Sequence, residues 1–173
     1  MSIESCDLPD GALLGRYAIN GGYTDCYATN VSAAVSQAQY VSAFYTTPLF
    51  KLERVILKVA LSMPSTDAQA RQLADDAINA FAAWRVEDRT ENQLLLTDFR
   101  GRTRSWLMVA PTTVEGGAGT RLYFGSAVVP VKNAGNGKPA VGLGFRLLLG
   151  FHQLYSMALL RAARWRLGKI IPL

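Results

Sequence analysis

The spacing of apolar and polar residues along the chain changes twice. From residue 33 to about residue 80 the pattern favours helices. From residue 82 to residue 131 it favours β-strands, and after residue 139 the helical spacing returns. This order predicts an α+β fold. Because no repeat, low-complexity tract or long linker interrupts the chain, residues 1–173 are interpreted as one domain.

The N-terminal half is predicted to combine extended segments with helices. Extended segments are predicted at residues 17–20 and 23–31, and helices at residues 33–44, 47–62 and 67–80. The run Asn20-Gly21-Gly22 has the residue types of a turn, because glycine tolerates a positive φ. Ser32 is the predicted N-cap of the first helix. Thr47 caps the second, and Pro48 suits its first turn.

The following part of the chain predicts an antiparallel sheet. Four strands are expected, at residues 82–90, 94–99, 104–111 and 121–131. The breaks between them are short and contain turn-forming residues, namely Glu91-Asn92, Arg100-Gly101 and Gly116-Gly117. Short connections of this kind join antiparallel strands, whereas parallel strands need longer crossovers.

A long helix is predicted from about residue 139 to residue 167, after a Gly/Asn-rich loop at residues 132–138. Its apolar residues recur at spacings of three and four, as one stripe formed by Leu148, Phe151, Tyr155, Ala158, Ala162 and Trp165. We expect this stripe to pack against the sheet. Arg161, on another face of the same helix, is expected at the surface.

Charge is distributed unevenly along the chain. The net charge is +5, composed of −3 over residues 1–80 and +8 over residues 81–173. A basic C-terminal half raises nucleic acid or an anionic membrane as a partner. The alternative is a solvated basic helix end, since Arg161, Arg164, Arg166 and Lys169 suit the C-terminus of a helix. We favour the alternative, and nucleic acid is not an expected partner.

Several functional classes are disfavoured by the sequence. The N-terminus carries Glu4, Asp7 and Asp10 and lacks the pattern of a secretory signal. The most apolar stretch, residues 141–160, contains Arg146 and His152, so no transmembrane segment is expected and a cytoplasmic location is predicted. The chain has one histidine and no nucleotide-binding motif, so neither a metal nor a cofactor is expected.

The two cysteines, Cys6 and Cys26, leave one question open. In a cytoplasmic chain, reduced thiols are the expected state. A disulfide bridge is compatible with the sequence, because the distance between the two residues does not follow from their spacing.

Asp25 and His152 are the main candidates for chemistry. On a strand, Tyr23, Asp25 and Tyr27 share one face, so the carboxylate lies between two phenols that could help it bind a ligand hydroxyl or act as a base. The alternative is an outward-facing aspartate with tyrosines at the rim. His152, in the final helix, is a catalyst, a polar contact in a cavity wall or a structural side chain.

Two further groups of residues are candidates for a binding role. Asp98, Arg100, Arg102 and Arg104 surround a tight turn, where they form either a cross-strand salt-bridge network or an anion site. Seven aromatic residues are placed where they could meet around one face of the sheet: Tyr40, Phe44, Tyr45, Trp84, Trp106, Phe124 and Tyr155. Trp106 and Tyr155 are the two among them that we expect to contact a ligand.

Several segments resemble an uncharacterised bacterial family of the helix-grip superfamily, which includes START, polyketide-cyclase and Bet v 1 proteins. These segments are Tyr23-Thr24-Asp25-Cys26-Tyr27, residues 44–57, the strand over residues 94–99, and Gly150-Phe151-His152. The resemblance covers residues 17–167. It implies a curved antiparallel β-sheet with a long C-terminal α-helix across its concave face, but it carries no established reaction.

The resemblance implies a binding protein for a small hydrophobic or amphipathic molecule, held between the sheet and the C-terminal helix. The expected ligand-binding residues are Tyr23, Asp25, Tyr27, Trp106, His152 and Tyr155. One alternative is a cyclase- or hydrolase-type enzyme that uses Asp25 or His152. The other is a protein-interaction or peripheral membrane module that uses the basic C-terminal helix.

Overall fold

The structure, a computed structural model, describes residues 2–19, 23–129 and 143–171, without the side chains of residues 61 and 143–151. Its elements in chain order are β1 (Glu4–Ser5), α1 (Gly15–Ile19), β2 (Tyr23–Val31), α2 (Gln37–Tyr45), α3 (Pro48–Leu61), α4 (Asp67–Ala74), β3 (Ala80–Phe81), β4 (Trp84–Thr90), β5 (Gln93–Asp98), β6 (Thr103–Val114), β7 (Gly117–Val128) and α5 (Leu143–Ile170). The predicted turn at residues 20–22 and the predicted loop at residues 132–138 lie outside the described residues.

The strands form one antiparallel sheet in the order β1-β2-β7-β6-β5-β4-β3. Strands β4 to β7 are neighbours in sequence and in space, as their short connections predict. Strand β2 pairs with β7, the last strand, from Tyr23 opposite Val128 to Val31 opposite Thr120. The α+β class, the antiparallel sheet and the C-terminal helix are therefore confirmed.

The caps of α3 also agree with the sequence. The Thr47 hydroxyl accepts a hydrogen bond from the Phe50 N–H at 3.1 Å, and Pro48 follows in the first turn. Ser62 ends the helix in a left-handed conformation with φ of 54°. This conformation is unusual for a residue other than glycine and stops the helix.

Three of the predicted boundaries were wrong, each for a local reason. Helix α2 begins at Gln37 because Ser36, and not Ser32, forms a capping box with Gln39. Helix α4 ends at Ala74, and the chain then turns through Asp76, which has a positive φ. The segment predicted to be extended at residues 17–20 lies instead in the short helix α1, with residue 20 outside the described residues.

The sheet separates two apolar clusters. The larger lies under α2, α4 and α5, and the smaller lies on the opposite face. Neighbouring residues on a strand point to opposite faces, so Leu96 joins the larger cluster and Leu95 joins the smaller. Leu14, which directly precedes α1, is fully buried and completes the smaller cluster.

Helix α5 contacts the sheet with a face different from the one predicted. Among the side chains of α5 that the structure describes, the buried ones are those of Ser156, Leu159, Leu160, Ala163 and Leu167. Ala158 is exposed, and Trp165 is 57% exposed with the Lys169 ammonium 3.6 Å from its ring centroid. The buried face is displaced from the predicted stripe by one residue position, or about 100° around the helix axis. The prediction selected the wrong face because the leucines on the neighbouring face recur with an equally regular spacing. The side chains of Leu148 and Phe151 lie outside the described residues.

Candidate functional site

A row of polar side chains crosses the sheet beneath α5. Asp25 on β2 lies opposite Ser126 on β7, and Ser126 lies opposite Ser105 on β6. Residues directly opposite each other in an antiparallel sheet point to the same face. We call Asp25, Ser126 and Ser105 the polar row. It is flanked on one side by a row of buried apolar residues, Tyr27, Phe124, Leu107 and Leu94.

The Asp25 carboxylate is held by Ser126. Its Oδ1 accepts hydrogen bonds from the Ser126 backbone N–H at 3.0 Å and from the Ser126 hydroxyl at 2.6 Å. The Asp25 side chain is only 7% exposed, and its Oδ2 has no hydrogen-bond partner in the described part of the chain. A buried carboxylate oxygen without a partner is costly, so a nearby proton donor would stabilise the site.

His152 reaches the polar row from α5. Its Nε2 lies 2.6 Å from the Ser126 hydroxyl oxygen and 3.6 Å from Asp25 Oδ2. The hydroxyl has one proton, and an ionised Asp25 takes it as acceptor. Nε2 must then carry a proton of its own and donate it to Ser126. The three side chains form a directed chain of hydrogen bonds from His152 through Ser126 to Asp25.

This order differs from that of a serine-protease triad. There the imidazole lies between the hydroxyl and the carboxylate, accepts the hydroxyl proton and activates the nucleophile. Here Ser126 lies in the middle and gives its proton to Asp25. The arrangement therefore fixes the orientation of His152, but it does not activate Ser126 as a nucleophile.

The residues that follow His152 on α5 contact β2 and α3. Gln153 Nε2 donates to the Tyr23 hydroxyl at 3.0 Å, and the Tyr155 hydroxyl donates to Glu53 Oε2 at 2.5 Å. Burial raises the pKa of the Glu53 carboxyl, although the bond from Tyr155 acts in the opposite direction. Burial and the nearby Glu53 carboxylate raise the pKa of the Tyr155 phenol. These contacts hold α5 at a fixed distance from the sheet and from α3.

A cavity of about 700 Å³ lies between α3, α5 and strands β6 and β7. Most of the lining side chains are apolar, among them Phe44, Phe50, Trp84, Phe124 and Leu159. The polar part of the wall contains Ser126, His152, Ser156, Tyr155 and Glu53. Two of the lining residues, Trp84 and Ser156, each have a side-chain polar atom (Nε1 and Oγ) that is buried and without a partner among the described residues. The volume and lining are typical of a small-molecule site.

The structure brings together most of the residues predicted from the sequence. His152 and Tyr155 line the cavity. Asp25 lies directly behind Ser126, and the Tyr23 hydroxyl accepts a hydrogen bond from Gln153. Tyr27 lies one row deeper, in the apolar core.

Trp106 is the exception among the predicted ligand contacts. It is fully buried in the smaller cluster on the opposite face, where its indole N–H donates to Gln93 Oε1 at 2.9 Å. Trp106 is therefore removed from the ligand-binding set, since the sheet separates it from the cavity. Trp84, which does line the cavity, is the tryptophan of this site.

Sequence reasoning missed Ser126, Ser105 and Glu53. One local signal pointed to Ser126. Phe124, Ser126 and Val128 alternate on one face of β7, and the serine interrupts an otherwise apolar series. No comparable signal marked Glu53, because it lies in a helix with several charged residues.

The charged cluster around the turn at residues 98–104 has a structural role. Asp98 Oδ1 accepts hydrogen bonds from the backbone N–H groups of Arg102 and Thr103, at 2.6 and 3.0 Å. Arg104 forms an ion pair with Glu87 at 2.5 Å and stacks on the Tyr17 ring. The salt-bridge and turn interpretation is favoured over an anion site, because Asp98 and Arg104 already have partners within the chain.

Comparisons with known proteins do not identify the chain: no family model matches it, and no curated protein does. The resemblance to helix-grip proteins therefore stays a prediction. Among the described residues, no helix is long and apolar enough to cross a membrane. The same residues contain no group of three or more His, Cys, Asp or Glu side chains that could hold a metal ion.

Proposed function

We propose that the protein binds one small amphipathic molecule in the cavity between the sheet and α5, in the manner of a helix-grip protein. The observation that carries this proposal is the cavity itself, with a volume of about 700 Å³ and a largely apolar lining. Burial of apolar ligand surface against such a lining is favourable, because it removes apolar area of both partners from water.

The edge of the cavity supports the entry of an apolar molecule. Leu52 and Ile56 on α3 and Leu154 on α5 line the cavity and are each more than half exposed. A bound ligand would cover part of these side chains. Transfer of apolar surface out of water contributes about 25 cal/mol per Å², so this edge favours the bound state.

The polar row defines the other end of the ligand. With the Ser126 proton donated to Asp25, the serine oxygen retains a lone pair that can accept a hydrogen bond from a ligand. The carboxylate of Asp25 lies directly behind it and disfavours an anionic group at this point. A neutral hydroxyl or N–H group is therefore the preferred polar end.

Displacement of a neutral apolar dye tests the proposal. Nile red should bind the purified protein, and decanol should displace it at a lower concentration than decanoate does, because only the alcohol offers a donor without a negative charge. Ala158→Phe, which places a ring at the cavity wall, should abolish dye binding. Arg161→Phe is the matched control, because it adds the same ring to an exposed position of α5 outside the lining. Equal dye binding by both variants would contradict the proposal.

A second candidate function is a cyclase- or hydrolase-type reaction that uses Asp25 or His152. The observation in its favour is the hydrogen-bonded chain of Asp25, Ser126 and His152 at the cavity wall. An enzyme would return a bound substrate chemically changed, and Asp25→Asn would stop the conversion while leaving binding measurable. A pure binding protein would release its ligand unchanged, which mass spectrometry of the extracted ligand decides.

The basic end of α5 supports an interaction module less well. Arg166 Nε donates to the Thr46 hydroxyl at 2.7 Å, and Arg164 donates to the Thr29 hydroxyl at 3.3 Å. These two guanidinium groups hold α5 against α2 and β2. Their contacts account for part of the positive charge without an external partner.

A further inference from the structure

The two cysteines lie side by side at the edge of the sheet. Strand β1 pairs with β2 through Glu4 opposite Ala28 and Ser5 opposite Tyr27. The next pair in this register is Cys6 and Cys26, and the Cys6 N–H donates to the Cys26 carbonyl at 3.0 Å. The two Sγ atoms are 3.3 Å apart, and both thiols are free.

The two thiols differ in their access to solvent. Cys26 is 3% exposed and belongs to the smaller apolar cluster, with Leu14 and Trp106. Cys6 is half-buried at the edge of the same cluster. A small reagent can therefore reach Cys6 first. Burial and the adjacent Cys6 sulfur raise the pKa of the Cys26 thiol, so Cys26 stays protonated near neutral pH.

We propose that Cys6 and Cys26 are a covalent modification site, which forms an intramolecular disulfide by exchange with a low-molecular-weight disulfide such as oxidised glutathione. Directly opposite residues of an antiparallel pair have Cα atoms roughly 4.5–5.5 Å apart, within the range that a disulfide spans. Closure therefore requires a rotation of the two side chains and a small approach of the sulfurs, while the backbone pairing is already in place.

The exchange proceeds in two balanced steps. The Cys6 thiolate attacks one sulfur of oxidised glutathione, forms a mixed disulfide and releases one glutathione thiolate. Cys26 then loses its proton to solvent and attacks the Cys6 sulfur, and a second glutathione thiolate leaves. The protein loses two protons and two electrons, which reduce one glutathione disulfide to two thiols. Because the second step needs the Cys26 thiolate, ring closure is faster at higher pH.

The bond would fix the N-terminal segment across the face of the sheet that carries the smaller cluster. This segment already contacts the strands through the Leu13 N–H, which donates to Gln93 Oε1 at 2.9 Å, and through Leu14. The cysteines are 20 positions apart in sequence, so the bond would close a loop that is open in the unfolded chain. Such loops restrict the unfolded state, and the oxidised form should melt at a higher temperature.

The test is the reaction of the purified full chain with oxidised glutathione, followed by intact mass under non-reducing conditions. The wild type should lose the mass of two hydrogens, and its tryptic map should contain the peptide pair that joins Cys6 to Cys26. Its melting temperature should rise by several degrees and return after dithiothreitol. In Cys26→Ala, Cys6 should keep glutathione as a stable adduct. In Cys6→Ala, the buried Cys26 should stay unmodified.

Two results would overturn the proposal. One is a wild type that accumulates the glutathione adduct at Cys6 without closing the ring. The other is a wild type that does not react at all while Cys6 remains reactive towards iodoacetamide. Both are read on the wild type, so they hold even if an alanine variant folds poorly. The proposal does not rest on the ligand, because Cys26 points to the face of the sheet opposite the cavity.

Discussion

Asp25 and Ser126 face each other across the β2–β7 ladder, and the aspartate accepts both the backbone N–H and the hydroxyl of the serine. The two residues are 101 positions apart in sequence. Their pairing places a buried carboxylate behind the cavity wall and orients the hydroxyl to which His152 binds. The structural role of this pair can be separated by mutation from the ligand-binding role proposed for the histidine.

The Asp25–Ser126 pair should stabilise the fold as a unit. Asp25→Asn and Ser126→Ala should each lower the free energy of unfolding by about 1–3 kcal/mol, because each leaves a buried polar group without its charged or hydroxyl partner. The double variant should lose less than the sum of the two by at least about 0.5 kcal/mol, as expected for residues that share a hydrogen bond. Denaturant melts of the four proteins measure this difference. Additive losses would mean that the two side chains act independently.

His152 should affect ligand binding more than stability. Its side chain is 36% exposed, so His152→Ala should leave the melting temperature nearly unchanged. Ser126 would lose the hydrogen bond from His152 that helps to fix its hydroxyl at the cavity wall, so decanol binding should weaken by about 2- to 10-fold in the dye-displacement assay. Gln153→Ala is the control, because Gln153 bonds Tyr23 and does not line the cavity. An equal loss of affinity in the two variants would show that α5 has moved as a whole.

Glu53 should make the stability depend on pH. Burial raises its pKa above the ordinary value of 4.5, so the folded state holds this proton more tightly than the unfolded state does. The stability gained from this proton is present below pH 4.5 and is lost as pH rises through the raised pKa. Glu53→Gln keeps an acceptor for Tyr155 and has no proton to lose. The melting temperature of the variant minus that of the wild type should therefore increase as the pH rises from 4 to 7, as thermal melts across that range would measure. A constant difference between the two proteins would contradict this account.

Local signals were sufficient for most of the sheet and for α3. Turn residues at Arg100-Gly101 and Gly116-Gly117 marked the hairpins, and Thr47-Pro48 marked a helix start that the structure confirms. These features depend on residues that are close in sequence. Their physical causes, a positive φ at glycine and an N-cap hydroxyl, act within a few positions.

The candidate site could be predicted only in part, because its contacts are not local. The same-face grouping of Tyr23, Asp25 and Tyr27 followed from strand geometry, but its contact with Ser126 depends on the pairing of the second strand with the last. That pairing brings distant segments together and has no signature in a short window. Trp106 was misplaced for a related reason. An aromatic residue on a strand suits either face, and only the register assigns it to one.

The last prediction concerns helix α5 and tests which of its faces packs against the core. Leu160 is fully buried, so Leu160→Ala should cost about 2–5 kcal/mol, the sum of lost burial and a new cavity. Trp165 is more than half exposed, so Trp165→Ala should cost less than about 1 kcal/mol despite the larger side chain removed. Arg161→Ala, at an exposed position of the same helix, should stay within about 0.5 kcal/mol. Denaturant melts of the three variants measure the three losses in the free energy of unfolding and so rank them. If Trp165→Ala proved the most damaging, the stripe expected from the sequence would face the sheet, and α5 would be rotated by about 100° from the orientation described.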